Sequence, residues 1–177
     1  MLKGDRIYLK LMEKKDIPNK VKWVNDEEVR KTLFITDISE IGTEQWLSKV
    51  ASDGSRRDYI VFDSQTNKPI GFSGIDKIDY VNSKAETYFC IGEKEYRGIG
   101  LGTDVMTTIT KHCFIDLRLN KVYLYTWTSN IAMVKVSKRV GFTMEGTLRQ
   151  NLLSNGVFKD TFVFSMLKSE FFKQYTF

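Results

Sequence analysis

Histidine is almost missing from this chain of 177 residues: His112 stands alone, beside Cys113. A zinc site or a Ser-His-Asp triad therefore lacks its parts, and no metal is expected. Cysteine is scarce as well. Cys90, in a predicted strand, and Cys113, in a predicted helix, give neither a disulfide framework nor a ligand spacing, and both read as small buried hydrophobes. No stretch approaches the roughly 18 apolar residues of a membrane helix. The start, with Lys3, Asp5 and Arg6 ahead of a five-residue strand-like run, has no signal-peptide apolar region and no cleavage site, so a cytoplasmic location and no membrane partner are expected. Repeats and low-complexity linkers are absent, and at 42% hydrophobic the chain has enough apolar surface for one full core, read here as a single domain over 1–177. The net charge of +5 is too small and too unpatterned to argue for nucleic acid, although it suits a ligand carrying several phosphates.

Glycine, by contrast, is concentrated in one place. Tyr88, Phe89, Cys90 and Ile91 form a short β-prone run, and Arg97-Gly98-Ile99-Gly100-Leu101-Gly102 then removes side chains from alternate positions. From Thr103 onward Val105, Ile109, Cys113 or Phe114, and Leu117 recur at helical spacing. Strand, glycine loop and helix follow one another. Free N–H groups at that helix start, with the helix dipole, would make a phosphate cradle, and Arg97 at its rim is expected to add a charge and a bidentate donor set. The same stretch would also serve as a tight strand-to-helix turn. A P-loop is excluded because no lysine precedes Thr103 in the required Gly-Lys-Thr arrangement. A dinucleotide loop needs Gly-x-Gly-x-x-Gly and an acid on the next strand. Here the spacing is Gly-x-Gly-x-Gly, and Lys121 to Trp127 carries no acid.

Along the rest of the chain, Arg6 to Met12 alternates as a strand, and Glu13 to Asp16 caps a helical region with Pro18 in its first turn. Trp23, Val29 and Leu33 continue at helical spacing, with Trp23 a core anchor, and a second helix is predicted over Thr43 to Ser52. Between Glu13 and Glu44 eight acids oppose six bases, a local charge of −2 that hints at a cationic substrate on this side. Asp58 to Phe62, Pro69 to Ile75 and Ala85 to Ile91 read as an antiparallel meander, and Lys121 to Trp127 as a strand parallel to the last of them, since a helix joins the two. Asn130 can cap a helix that ends at Gly141. Ser154-Asn155-Gly156 turns a hairpin between Thr147 to Leu153 and Val157 to Leu167, and the last ten residues form a short helix or tail. The class is α+β.

Arg97-x-x-Gly100-x-Gly102 between a strand and a helix resembles the acetyl-CoA loop of the GNAT superfamily of N-acetyltransferases. Asn130-x-Ala132, Val140-Gly141-Phe142, Glu145-Gly146, Arg149, Asn155-Gly156, Asp160 and Met166-Leu167 extend that resemblance. So do Ile7-Tyr-Leu-Lys-Leu11, Trp23-Val-Asn-Asp26 and Ala85-Glu86. Together they cover about residues 2 to 170, and they are similar to the branch holding RimJ/RimL-type ribosomal-protein alanine acetyltransferases and spermidine N-acetyltransferase. The resemblance implies a mixed, twisted sheet of about seven strands, antiparallel in its N-terminal part, with a splayed parallel pair at the cofactor site. It implies acetyl-CoA as acyl donor, its pyrophosphate on the amides of Arg97, Gly98, Gly100 and Gly102 with Thr103, and Ile99 and Leu101 as further cofactor-binding residues of the loop. The pantetheine arm would lie on backbone from Cys90 through Ile91 to Gly92, with Asn130 near it.

Family members often place a tyrosine acid where this chain has Ser137. A serine hydroxyl can donate a hydrogen bond to the leaving sulfur but is a far weaker acid, which leaves water to assist; the other reading of Ser137 is an ordinary exposed helix residue. Glu86 is the candidate for positioning or deprotonating the amine, or else a carboxylate salt-bridged to a sheet neighbour. Tyr88 and Tyr125 are candidate pocket members. The expected acceptor is a protein or peptide N-terminal α-amine; a polyamine, aminoglycoside or amino sugar, and a non-catalytic acetyl-CoA sensor, are the alternatives. A homodimer is left open.

Overall fold

A meander of antiparallel hairpins carries the chain into the site. The computed structural model, which describes residues 1–176, places β1 (Leu2–Lys3), β2 (Ile7–Leu11), β3 (Arg57–Asp63), β4 (Pro69–Asp79) and β5 (Lys84–Ile91) side by side. One parallel step leads to β6 (Lys121–Trp127), and the hairpin of β7 (Thr143–Ser154) and β8 (Val157–Leu167) closes the sheet in the order β1-β2-β3-β4-β5-β6-β8-β7. The mixed sheet thus has eight strands where about seven are expected. The additional one is β1, whose two residues are too few to leave a periodicity.

Helices cover both faces. On one side α4 (Leu101–Ile115) and α6 (Lys168–Gln174) pack with Ile7, Leu9, Ala85, Val122, Leu124 and Phe164 around the fully buried Val105, Ile109 and Phe114. On the other, α1 (Ile17–Asn25) lays Trp23 and Val24 against Ile60, Phe72 and Cys90. Trp23 is 1% exposed and is the core anchor expected of it; truncating such a buried indole typically costs about 3–5 kcal/mol. No helix among the described residues is long and apolar enough to cross a membrane.

Several local signals act as read, and two do not. Asn130 caps α5 (Ile131–Val140) by accepting from the Met133 amide at 3.1 Å, and Gly141 ends it at φ 99°. Asn155 and Gly156 turn the last hairpin with φ of 50° and 77°. The helical pattern from Trp23 to Leu33, however, is broken at Asp26. That residue is extended, ends α1, and accepts from the Val29 amide at 3.0 Å to start a separate short α2 (Glu27–Arg30). The next helix, α3 (Glu40–Val50), begins three residues before the expected Thr43 because Ser39 caps it. In the terminal stretch α6 forms, while Phe177 lies outside the described residues.

Candidate active site

β5 and β6 are ladder partners only at Lys84↔Lys121, Ala85↔Val122 and Glu86↔Tyr123. Beyond Glu86 each strand keeps its outer neighbour, β5 pairing with β4 as far as Ile91 and β6 with β8 as far as Trp127. The facing edges from Thr87 onward are therefore unpaired, which makes the expected splay. Some backbone N–H and C=O groups of Thr87 to Ile91 point into that wedge with no ladder partner.

The glycine loop closes the wide end of the wedge. Gly100 sits at φ 92°, a left-handed conformation that strains any residue with a Cβ, and leads directly into α4 with no side-chain cap on the helix. A Cβ at Gly102 would stand 3.0 Å from the Phe89 ring, so this position stays small to let α4 approach β5. The uncapped first amides of α4 consequently face outward as an anion site.

These pieces share one cavity of about 760 Å³ between β5, the loop, α2 and α5. Of the residues singled out from the sequence, Cys90, Ile91, Arg97, Gly98, Gly100, Gly102, Thr103 and Asn130 line it. Gly92, Ile99 and Leu101 do not. Gly92 lies against Trp23, Ile99 turns its side chain to solvent, and Leu101 is buried in the core. Burial pushes the Cys90 thiol up to about 12, which leaves it a wall of the cavity rather than a nucleophile.

Arg97 requires a correction. Its guanidinium does not reach over the loop: Nε donates to the Ile91 carbonyl at 3.0 Å and NH2 to the Gly92 carbonyl at 2.5 Å, while NH1 donates to Glu28 at 3.2 Å and Asp26 lies at 3.6 Å. The side chain is a clip joining the end of β5 to α2. The cations that do face the cavity were missed. Lys135 and Arg139, one turn apart on α5, line it and have no carboxylate partner among the described residues, and Arg6, just before β2, reaches the loop to hold the Ile99 carbonyl at 2.6 Å. The i,i+4 spacing of Lys135 and Arg139 was visible, but only the fold distinguishes them from a solvated helix face.

At the root of the wedge Glu86 is salt-bridged to Lys77 at 2.8 Å, the sheet-neighbour arrangement. Lys77 sits at φ 51° in an irregular stretch of β4, and the Glu86 carboxylate raises the pKa of its ammonium. Tyr123 pairs with Glu86 across the ladder, and its ring meets Tyr125 edge-on at 5.8 Å. Tyr88 turns away from the wedge. It is half-buried against Asp58 and Arg56 in a polar cluster, where Lys20 lies 3.9 Å from Asp58 and 3.7 Å from the Trp46 ring centre. Ser137 is not an exposed helix residue. It is fully buried, its hydroxyl has no hydrogen-bond partner among the described residues, and it does not line the cavity.

A second cleft, of about 640 Å³, lies across α2 from the first. Its walls are the 31–37 segment, Trp127 and Ser129, and the tip of the β7–β8 hairpin. The acids that gave the N-terminal region its negative charge are distributed rather than pooled there. Glu27 pairs with Lys31, Asp37 with Arg30, Glu44 with Lys14, and Asp26 and Glu28 with Arg97.

Residues 6–143 match the family described as Acetyltransferase (GNAT) domain, most of the chain. The chain belongs to the GNAT acetyltransferase family. This GNAT domain is 25% identical over 171 residues to N-acetyltransferase p20 of Bacillus licheniformis, which is itself uncharacterized, covering 94% of this chain and 96% of that one. It is 27% identical to YdaF of Bacillus subtilis strain 168, provisionally named a ribosomal N-acetyltransferase, over 94% of each. It is 28% identical over 128 residues to spermidine N(1)-acetyltransferase of Vibrio cholerae, covering 72% of this chain and 73% of the other. The solved structure of Vibrio cholerae spermidine N-acetyltransferase in complex with CoA and spermine has a TM-score of 0.88 at 24% identity, covering 94% of this chain and 98% of that one, and so shares the fold.

Proposed function

We propose that this GNAT domain transfers the acetyl group of acetyl-CoA directly to a primary amine, and that the acceptor is the N-terminal α-amine of a protein or peptide. The observation that carries the reading is the single cavity uniting the open edge of β5, the uncapped start of α4 and the unpaired cations Lys135 and Arg139. That donor set fits CoA: helix-start amides and two cations suit its phosphates, and the unpaired strand edge suits the amide groups of its pantetheine arm. When bound, acetyl-CoA supplies the thioester acyl group.

The chain's own groups then divide the work. An N–H on the open edge of β5 is placed to stabilise negative charge on the acyl oxygen. Glu86, where the ladder ends, holds the incoming amine and takes its proton, once that amine has displaced the Lys77 ammonium. Ser137 stands behind the cavity wall, so proton delivery to the departing thiolate is assigned to water.

With no histidine base near the wedge, the cost of freeing the amine discriminates between acceptors. At pH 7 it is roughly 4–5 kcal/mol for a lysine-like amine of pKa about 10.4, and only roughly 1 kcal/mol for an α-amine of pKa about 8. The similarity to YdaF, provisionally named a ribosomal N-acetyltransferase, agrees with a protein acceptor. A polyamine is the second reading, favoured by the likeness to spermidine acetyltransferases. Against it, five of the six acids of 26–44, all but Glu40, are matched by cations instead of gathered into an anionic cleft.

The test is thiol release from acetyl-CoA with N-terminal peptides, spermidine, aminoglycosides and amino sugars. Gly100→Glu, which sets a carboxylate in the anion site, serves as the inactive control. Release that depends on a peptide amine and disappears in the variant supports the proposal. Preference for spermidine selects the second reading, and no release with any amine removes the catalytic one.

A further inference from the structure

Tyr123, Tyr125 and Trp127 are alternate residues of β6 and so share one face, the face on which Glu86 stands opposite Tyr123. They form an aromatic track running from the root of the wedge to the second cleft. At its far end Trp127 is fixed by donating its indole N–H to the Leu33 carbonyl at 3.2 Å and by an edge-on contact with Phe34 at 4.6 Å. Four strand residues at ~3.3 Å each make the track about 13 Å long. An extended peptide covers that distance in about four residues.

Two properties of the cleft indicate what it would take there. Its walls present large apolar side chains to solvent, Phe34 and Ile35 on one side and Leu153 on the other, with exposures of 41%, 48% and 62%. Its charges do not cancel. Glu27 is paired with Lys31 and Asp37 with Arg30, which leaves Lys159, lying over the Trp127 ring at 5.6 Å, as a cation with no carboxylate facing it among the described residues. A polycation gains nothing from such a lining. A peptide with an apolar side chain and a carboxylate gains from both.

We infer that this cleft is the sequence-reading part of the acceptor site, binding an apolar and an acidic residue at about the fourth and fifth positions of an extended N-terminus whose α-amine lies at Glu86. The inference rests on the acetyl-transfer reading above and adds the acceptor's chemistry to it. Apolar packing against Phe34, Ile35 and Leu153 would supply affinity, and Lys159 would set the preference for charge.

The experiment uses the full chain, acetyl-CoA and two pentapeptides that share their first three residues and continue with leucine–glutamate or leucine–lysine. Alaninamide, too short to leave the wedge, is the third acceptor. The expected result is a kcat/KM at least tenfold higher for the glutamate peptide, with Lys159→Glu lowering that ratio by a further factor of ten or more. Because both peptides are read with one enzyme sample, the ratio does not depend on how much of the variant folds. Acetylation of alaninamide with a ratio within twofold, a ratio unchanged in Lys159→Glu, or spermidine turned over faster than both peptides would each overturn the inference while leaving acetyl transfer intact. Failure on every amine would overturn acetyl transfer and this inference with it.

Discussion

Replacing Arg97 by alanine separates a phosphate ligand from a structural clip. The guanidinium makes two hydrogen bonds to carbonyls at the end of β5 and just past it, and contacts Glu28 in α2 and Asp26, its cap. A hydrogen bond to a charged group contributes about 1.5–3 kcal/mol, but the side chain is 27% exposed and water can replace part of the set, so the net loss is put at about 2–3 kcal/mol. For a chain of this size that lowers Tm by about 4–12 °C. CoA affinity, measured by calorimetry well below the variant's Tm, is expected to change less than threefold, because the guanidinium is turned onto the Ile91 and Gly92 carbonyls and Glu28 instead of onto the anion site. Lys135→Ala and Arg139→Ala should do the opposite, leaving Tm within about 2 °C and weakening CoA tenfold or more, about 1.4 kcal/mol each. An Arg97→Ala protein that melts normally and binds CoA ten times more weakly would refute this assignment of the side chain.

Other consequences are equally direct. Desolvation pushes the buried Lys20 ammonium down to about 8, against 10.5 when free. Between those values the unfolded chain holds a proton that the native chain has released, so stability rises with pH across the window, by about 2–3 kcal/mol from pH 7.5 to 10. Lys20→Met lacks this group. Urea unfolding of both proteins should show native-minus-variant stability increasing with pH, and a flat or falling difference would contradict the burial argument. Ser137→Ala removes a buried hydroxyl without a partner, so stability is expected to rise by about 1 kcal/mol with kcat within threefold. A tenfold loss of kcat would return Ser137 to the chemistry. Glu86→Gln keeps the shape and removes the base, and should lower kcat at least tenfold at pH 7 and less at pH 9, where more of the amine is already neutral.

Short-range signals were the legible part of the molecule. A glycine that ends a helix, an asparagine three residues before the amide it caps, and an Asn-Gly turn declare themselves within a few positions, and Gly141, Asn130 and Asn155-Gly156 all did. The strand-loop-helix order around Gly100 therefore located the cavity correctly. What could not be read depends on partners far away in sequence. Arg97 meets Glu28 across 69 residues, and a glycine-flanked arginine looks the same whether it faces phosphate or its own strand. Lys135 and Arg139 became site residues only once α5 was seen to wall the wedge, and the burial of Ser137 follows from which face of α5 is turned inward. Asp26 failed as a reading for a different reason: an aspartate inside an apolar periodicity can continue a helix or cap the next one, and here capping prevails.

The central claim is that the wedge between β5 and β6, closed by the glycine loop, is a CoA site, and a calorimetric titration of CoA into the intact chain tests it most directly. The predicted result is one saturable site per chain, abolished in Gly100→Glu with Tm lowered by no more than about 8 °C, the left-handed strain at that position being worth about 1–2 kcal/mol. No binding by the native chain, or equal binding by a folded Gly100→Glu protein, would contradict it.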